Sequence, residues 1–240
     1  MIIEYDGAAY CGWQRQLNGV SIQQVVEDAV AQIIGEKVSI IASGRTDAGV
    51  HALNQVASFQ SHSLLSVNKI FLGVNSVLPE DIVVKDLQEA PSDFNALRDA
   101  KGKVYVYRIR NQHVRPVLGR QYYWFVRFPL DLVRMREAAS YLNGEHDFSC
   151  FCATGCDIKN RIRTLGSITI YQRENGMLEI TVESSGFLRH MVRNIVGTLV
   201  DVGRGKLQPK DIPEIIAGRD RKKAGVAAPA YGLFLKEVKY

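Results

Sequence analysis

Apolar and polar positions alternate along this chain with two periods, and their succession predicts the elements. MIIEY reads as a short strand, and Ser21 opens a helix in which Ile22, Val25, Val26, Ala29, Val30 and Ile33 recur at helical spacing up to Gly35. KVSII and NQVASF read as strands, SVNKIFLGVNSVL as a helix ended by Pro79, and DIVVKDL as a strand. The order β-α-β-β-α-β is the split βαβ pattern of a ferredoxin-like domain. A related pattern follows a polar stretch near 91–102. KVYVYRI and QYYWFV read as strands and 131–142 as a helix, while 143–164 reads mainly as loop. Two strands flank Asn175-Gly176, with Leu165, Ile168 and Ile170 facing Leu178, Ile180 and Val182. A helix over about 187–202, a shorter one over about 210–217 and the strand GLFLKEV complete the chain. The expected fold is therefore α+β, with two ferredoxin-like or RRM-like halves over residues 1–95 and 96–240. Each half has an antiparallel sheet with helices on one face, and an active-site cleft is expected between them.

Composition changes this picture in one respect. Residues 1–100 carry six Lys or Arg against twelve Asp or Glu, a net −6, whereas residues 101–240 carry 24 against 13, a net +11. Within the basic half, residues 101–127 hold seven Lys or Arg, no acid, and interleaved Tyr, Trp and Phe. Such a strip suits RNA, because cations neutralise phosphates while aromatic faces stack on unstacked bases; a strand edge guarded by charge would look the same. No apolar run approaches a membrane span and MIIEYDGAAY lacks the features of a signal peptide, so a cytoplasmic location is expected. Cys150, Cys152 and Cys156, with His146 upstream, lack the paired spacing of a zinc site, and no glycine-rich phosphate cradle is present; neither metal nor cofactor is expected.

The candidate chemistry lies in ASGRTDAGVHAL, residues 42–53. As a plain turn it needs Asp47 and Gly49 but no arginine. As a site, it offers one carboxylate, Asp47, beside Arg45. His51 reads as a structural histidine, since no nucleophilic Ser or Cys accompanies it. In FLRHMVRNIVGTLVDVG a buried stripe of Leu188, Met191, Val192, Ile195, Val196 and Leu199 leaves Arg189, His190, Arg193 and Asn194 on a polar face. Arg189 and Arg193, four apart, either repel in solvent or face an anion.

GRTDAGVHA at 44–52, with YDGAAYCGWQRQ before it and GFLRHMVRNIVG after it, closely resembles the tRNA pseudouridine synthase A (TruA) family, and the likeness runs from residue 5 to the end. The resemblance implies conversion of uridine to pseudouridine at positions 38–40 of the anticodon arm of tRNA, by a homodimer without metal or cofactor. It makes Asp47 the catalytic residue, Tyr105 the contact to the target base and Arg193 the partner of Asp47. Arg15, Arg108, Arg110 and Arg189 are candidate RNA contacts. Leu97 and Cys152 stand where the family commonly has arginine. Read from the residues, an ionised Asp47 could stabilise or attack the ribose as C1′–N1 breaks, or take a proton from it, and Arg45 and Arg193 would favour the charged form. A hydrolase would want a second carboxylate. A non-catalytic RNA-binding module would need no Arg-Thr-Asp loop. Tyr105 shares one strand face with Tyr107 and is either a stacking platform or a core residue.

Overall fold

The computed structural model describes residues 1–155, 158–173 and 175–240. It is an α+β fold of two compact units, Met1–Lys101 with Phe234–Tyr240, and Gly102–Leu233. The last seven residues, which the sequence division places in the second domain, belong to the first.

The first unit contains β1 (Ile2–Tyr5), α1 (Ile22–Ile34), β2 (Ile41–Ala42), β3 (His51–Ser58), α2 (Val67–Val77) and β4 (Ile82–Asp86). Strand β1 lies between β4 and β3, antiparallel to both. The order of elements is the expected one, and α1 has the expected ends. Ser21 Oγ accepts the Gln24 N–H, and Gly35, at φ 77°, donates to the Ala31 carbonyl. KVSII is shorter as a strand than its pattern predicts. Two polar side chains of α1 take the backbone of Ile40 out of the ladder: Glu27 Oε1 accepts its N–H at 3.0 Å and Gln23 Nε2 donates to its carbonyl at 3.0 Å. With β2 reduced to two residues opposite Ser58 and Ala57, the other end of β3 is left for the closing strand, Leu233–Lys239. That strand pairs in parallel through Phe234–His51 and Leu235–Ala52.

The second unit contains β5 (Gly102–Asn111), β6 (Trp124–Val126), α3 (Leu132–Ser140), β7 (Gly144–Asp147), β8 (Ile162–Gln172), β9 (Met177–Ser184), α4 (Met191–Gly203) and α5 (Asp211–Gly218). Its antiparallel sheet runs β5-β9-β8-β7, with β6 parallel to β5. The hairpin across Asn175-Gly176 forms, with Ile168 opposite Val182 and Ile170 opposite Ile180. Its turn is longer than two residues, closed by Arg173 N–H to Met177 O and Gly176 N–H to Arg173 O. Two expectations are corrected. The stretch 143–164, expected mainly as loop, also holds an edge strand, Gly144–Asp147, paired with β8, and a 3-10 turn at 149–151. The long helix starts at Met191 and not near 187. His190 sits at φ 62°, and the Arg189 carbonyl accepts the Ala153 N–H, so the backbone there is committed to a turn.

Candidate active site

The loop between β2 and β3 is fixed from several sides. Ser43 is fully buried, donates its N–H to Val56 O at 2.8 Å and its hydroxyl to Gln55 Oε1 at 2.7 Å; Gln55, also fully buried, donates Nε2 to Gly44 O at 2.9 Å. Thr46 Oγ1 and the Tyr5 hydroxyl share a hydrogen bond of 2.8 Å, and the Thr46 carbonyl accepts the Trp13 N–H at 3.0 Å. The Asp47 carbonyl accepts the Val50 N–H at 3.1 Å across Gly49, whose φ of 75° suits only glycine at low cost. Two further glycines press on this loop. A Cβ on Gly7 would lie 2.0 Å from Val50 O, and one on Gly12, at φ 96°, would lie 2.5 Å from Thr46 O. Burial pushes the Tyr5 phenol up to about 12, so it stays neutral as a hydrogen-bonding strut. The result is a loop with a buried, satisfied underside that carries a half-buried Asp47 and an exposed Arg45.

His51 closes the same construction. It is 1% exposed, and its Nδ1 lies 3.1 Å from the Gly7 N–H and 2.9 Å from Asp6 Oδ1, while its ring stacks on Phe234 at 4.7 Å. The ring ties the turn after β1 to the start of β3 and the closing strand.

Tyr105 and Arg193 belong to the second unit. Tyr105 is 7% exposed on the covered face of β5, opposite Val182, with Phe187 edge-on at 5.0 Å. Arg193 is half-buried on α4; its Nε donates to Ala228 O at 2.8 Å, and its carbonyl accepts the Ala228 N–H at 3.0 Å. The residues that hold this arrangement escaped the sequence reading. Asn194, expected on a polar face, is 1% exposed: its Nδ2 donates to Phe151 O at 2.6 Å, and its Oδ1 accepts from Arg221 at 2.8 Å. Arg221 also holds Gly225 O at 2.9 Å, Gly225 N–H reaches Thr198 Oγ1, and a Cβ on Gly197 would lie 1.7 Å from Val226 O. Residues 221–228 are thus laid against α4 by close backbone approach. The available signal was Gly197 and Thr198 interrupting the apolar run between Ile195 and Val200.

The candidate RNA contacts divide. Arg108 and Arg110 come together on the face of β5 opposite Tyr105, Arg108 Nε at 3.4 Å from Glu179 and Arg110 donating to Asn175 O at 2.6 Å beneath the Tyr123 ring. Arg15 is exposed and pairs with Glu27 at 3.1 Å. Arg189 is exposed but precedes α4, so it does not stand one helical turn from Arg193. Leu97 is exposed and Cys152 buried. Burial pushes the Cys150 thiol up to about 12; Cys156 lies outside the described residues. Among the described residues no three His, Cys, Asp or Glu gather as a metal site, and no helix is long and apolar enough to cross a membrane.

Set beside known proteins, residues 1–97 and 138–240 match the family model described as tRNA pseudouridine synthase. The chain belongs to the tRNA pseudouridine synthase family. Relatives of this synthase over its whole length include proteins named tRNA pseudouridine synthase A from Caldicellulosiruptor bescii, 46% identical with 98% of that protein covered, and Syntrophotalea carbinolica, 48% identical with 95% covered. The counterpart from Myxococcus xanthus is 43% identical, with 91% of it covered. Among solved structures, the archaeal box H/ACA sRNP Nop10-Cbf5 complex gives a TM-score of 0.37 at 13% identity, covering 84% of the synthase and 44% of that chain, too distant to bear on the site.

Proposed function

We propose that this chain isomerises uridine to pseudouridine in tRNA, at positions 38–40 of the anticodon arm, with Asp47 as its catalytic residue, and that it works as a cytoplasmic homodimer. The observation that carries the role of Asp47 is its loop. Ser43, Gly44, Thr46 and Asp47 are each fixed through a backbone group or a buried side chain, and Asp47 itself is half-buried. Fixing a reacting group in advance removes the entropy and reorganisation that would otherwise add to the barrier.

Pseudouridine is an isomer of uridine, so the chemistry balances without a co-reactant. The C1′–N1 bond breaks, the base turns, C1′–C5 forms, the hydrogen at C5 leaves as a proton, and N1 ends protonated. Asp47 acts as nucleophile or as base in the first step. Arg45 and Arg193 are the cations that this reading assigns to its carboxylate, and Tyr105 the ring against which the displaced uracil stacks once the nucleotide has left the helix. The loop supplies one carboxylate and not the acid–base pair of a glycoside hydrolase, which favours retention of the base over its loss to water. The test is tritium release from tRNA labelled at C5 of uridine. Release is expected from tRNA carrying uridine at 38–40 and none from tRNA with cytidine there; equal release from both would defeat the positional assignment, and none from either would defeat the reaction.

A further inference from the structure

Alternate side chains of β5 share one face of its sheet. Tyr105, Tyr107 and Ile109 lie there at 7%, 0% and 0% exposure, opposite Val182, Ile180 and Leu178. The next position in that row is Lys103, opposite Ser184, with Leu165 beyond it at 1% exposure. An ammonium thus continues a row in which three successive positions are apolar or aromatic. Lys103 is half-buried, and among the described residues no hydrogen bond or ion pair reaches its ammonium. The nearest polar side chain in the ladder is already engaged: the Ser184 hydroxyl contacts Thr164 O at 2.9 Å and Gly186 O at 2.8 Å, and accepts the Gly186 N–H. That turn leads into Phe187, the residue packed edge-on against Tyr105. Burial also draws the Lys103 ammonium below the ordinary lysine range. A cation that has lost water without gaining an anion is costly, and such a group at the end of an apolar row is suited to an anion brought by a ligand.

We propose that Lys103 binds a backbone phosphate of the RNA beside the nucleotide whose base Tyr105 receives. This rests on Tyr105 being the ring that stacks on the displaced uracil. Two residues of strand separate the side chains by about 7 Å, which keeps the phosphate within one nucleotide of the stacked base. The contact differs from those of Arg108 and Arg110, which lie on the opposite face of β5 with protein partners already in place.

The test is a cycle between the side chain and the phosphate. Affinity for an anticodon stem-loop is measured for wild type, Lys103→Met and Lys103→Arg, with native RNA and with RNAs in which a neutral methylphosphonate replaces the phosphate on either side of the target uridine. One of the two replacements should weaken wild type roughly tenfold, the loss of a charge-assisted hydrogen bond. Lys103→Met should be weakened as much against native RNA and be indifferent to that replacement, while Lys103→Arg keeps most of the affinity. Lys103→Met should melt no lower than wild type, since an apolar chain of similar length replaces a desolvated charge. Wild-type affinity in Lys103→Met, an unchanged response to both methylphosphonates, or a marked drop in melting temperature would overturn the assignment. Tritium release by wild type in the same preparation separates the two readings. Its absence would count against the isomerisation, whereas release together with a phosphate-independent result would count against Lys103 alone.

Discussion

The loop that carries Asp47 and the strand face that carries Arg108 and Arg110 are held by opposite means. The loop is fixed by buried partners, Tyr5 on the Thr46 hydroxyl and Gln55 on the Ser43 hydroxyl and the Gly44 carbonyl, with Tyr5, Ser43 and Gln55 only 3%, 0% and 0% exposed. Arg108 and Arg110 are held through their guanidinium groups, Arg108 Nε 3.4 Å from Glu179 and Arg110 donating to the Asn175 carbonyl, on long, half-buried side chains. A reacting carboxylate must be placed to a fraction of an ångström, so the first arrangement suits chemistry. A phosphate backbone tolerates small shifts, and a cation that exchanges one carboxylate for a phosphate does so at little cost, so the second suits grip.

That contrast can be broken at either end. Gly7→Ala should have the largest effect, because a Cβ 2.0 Å from the Val50 carbonyl forces backbone apart at the loop's end; a loss of about 3 kcal/mol is expected in denaturant unfolding. A loss below about 0.5 kcal/mol would show that the loop gives way more easily than its packing implies. Tyr5→Phe should follow, at about 1 kcal/mol for one buried hydrogen bond, with a fall in single-turnover rate and no change in tRNA affinity. An equal fall in affinity would move Tyr5 from positioning the loop to binding. Arg108→Ala should have the smallest effect on the fold, within about 0.5 kcal/mol, because the pair it loses is partly exposed and Glu179 keeps Arg173 at 2.8 Å. Its signature should be a smaller salt dependence of tRNA binding, by about one unit of log–log slope. A stability loss of several kcal/mol with an unchanged slope would make Arg108 structural.

What could be read from the sequence was what neighbouring residues decide. Ser21 and Gly35 bound α1 because each satisfies backbone groups of its own helix, and the motif around Asp47 is visible because its residues are contiguous. What could not be read depends on residues distant along the chain. Strand β2 is cut short by Gln23 and Glu27 reaching Ile40. Helix α4 begins late because Ala153 claims the Arg189 carbonyl, and Asn194 is buried because Phe151 and Arg221 meet it there. The supports of the loop itself, Tyr5, Gly12 and Gln55, come from outside the motif that they hold. No periodicity marks a glycine whose missing Cβ makes room for a carbonyl.

If this loop exists to present one carboxylate, Asp47→Asn removes its purpose and leaves its shape. Asparagine keeps the size and turn preference of aspartate, so melting temperature and tRNA affinity should stay near wild type, within about 1 kcal/mol. In a single-turnover assay with tRNA labelled at C5 of uridine, no tritium release above background is expected from Asp47→Asn. Release at a rate near wild type would contradict it and leave the loop a turn.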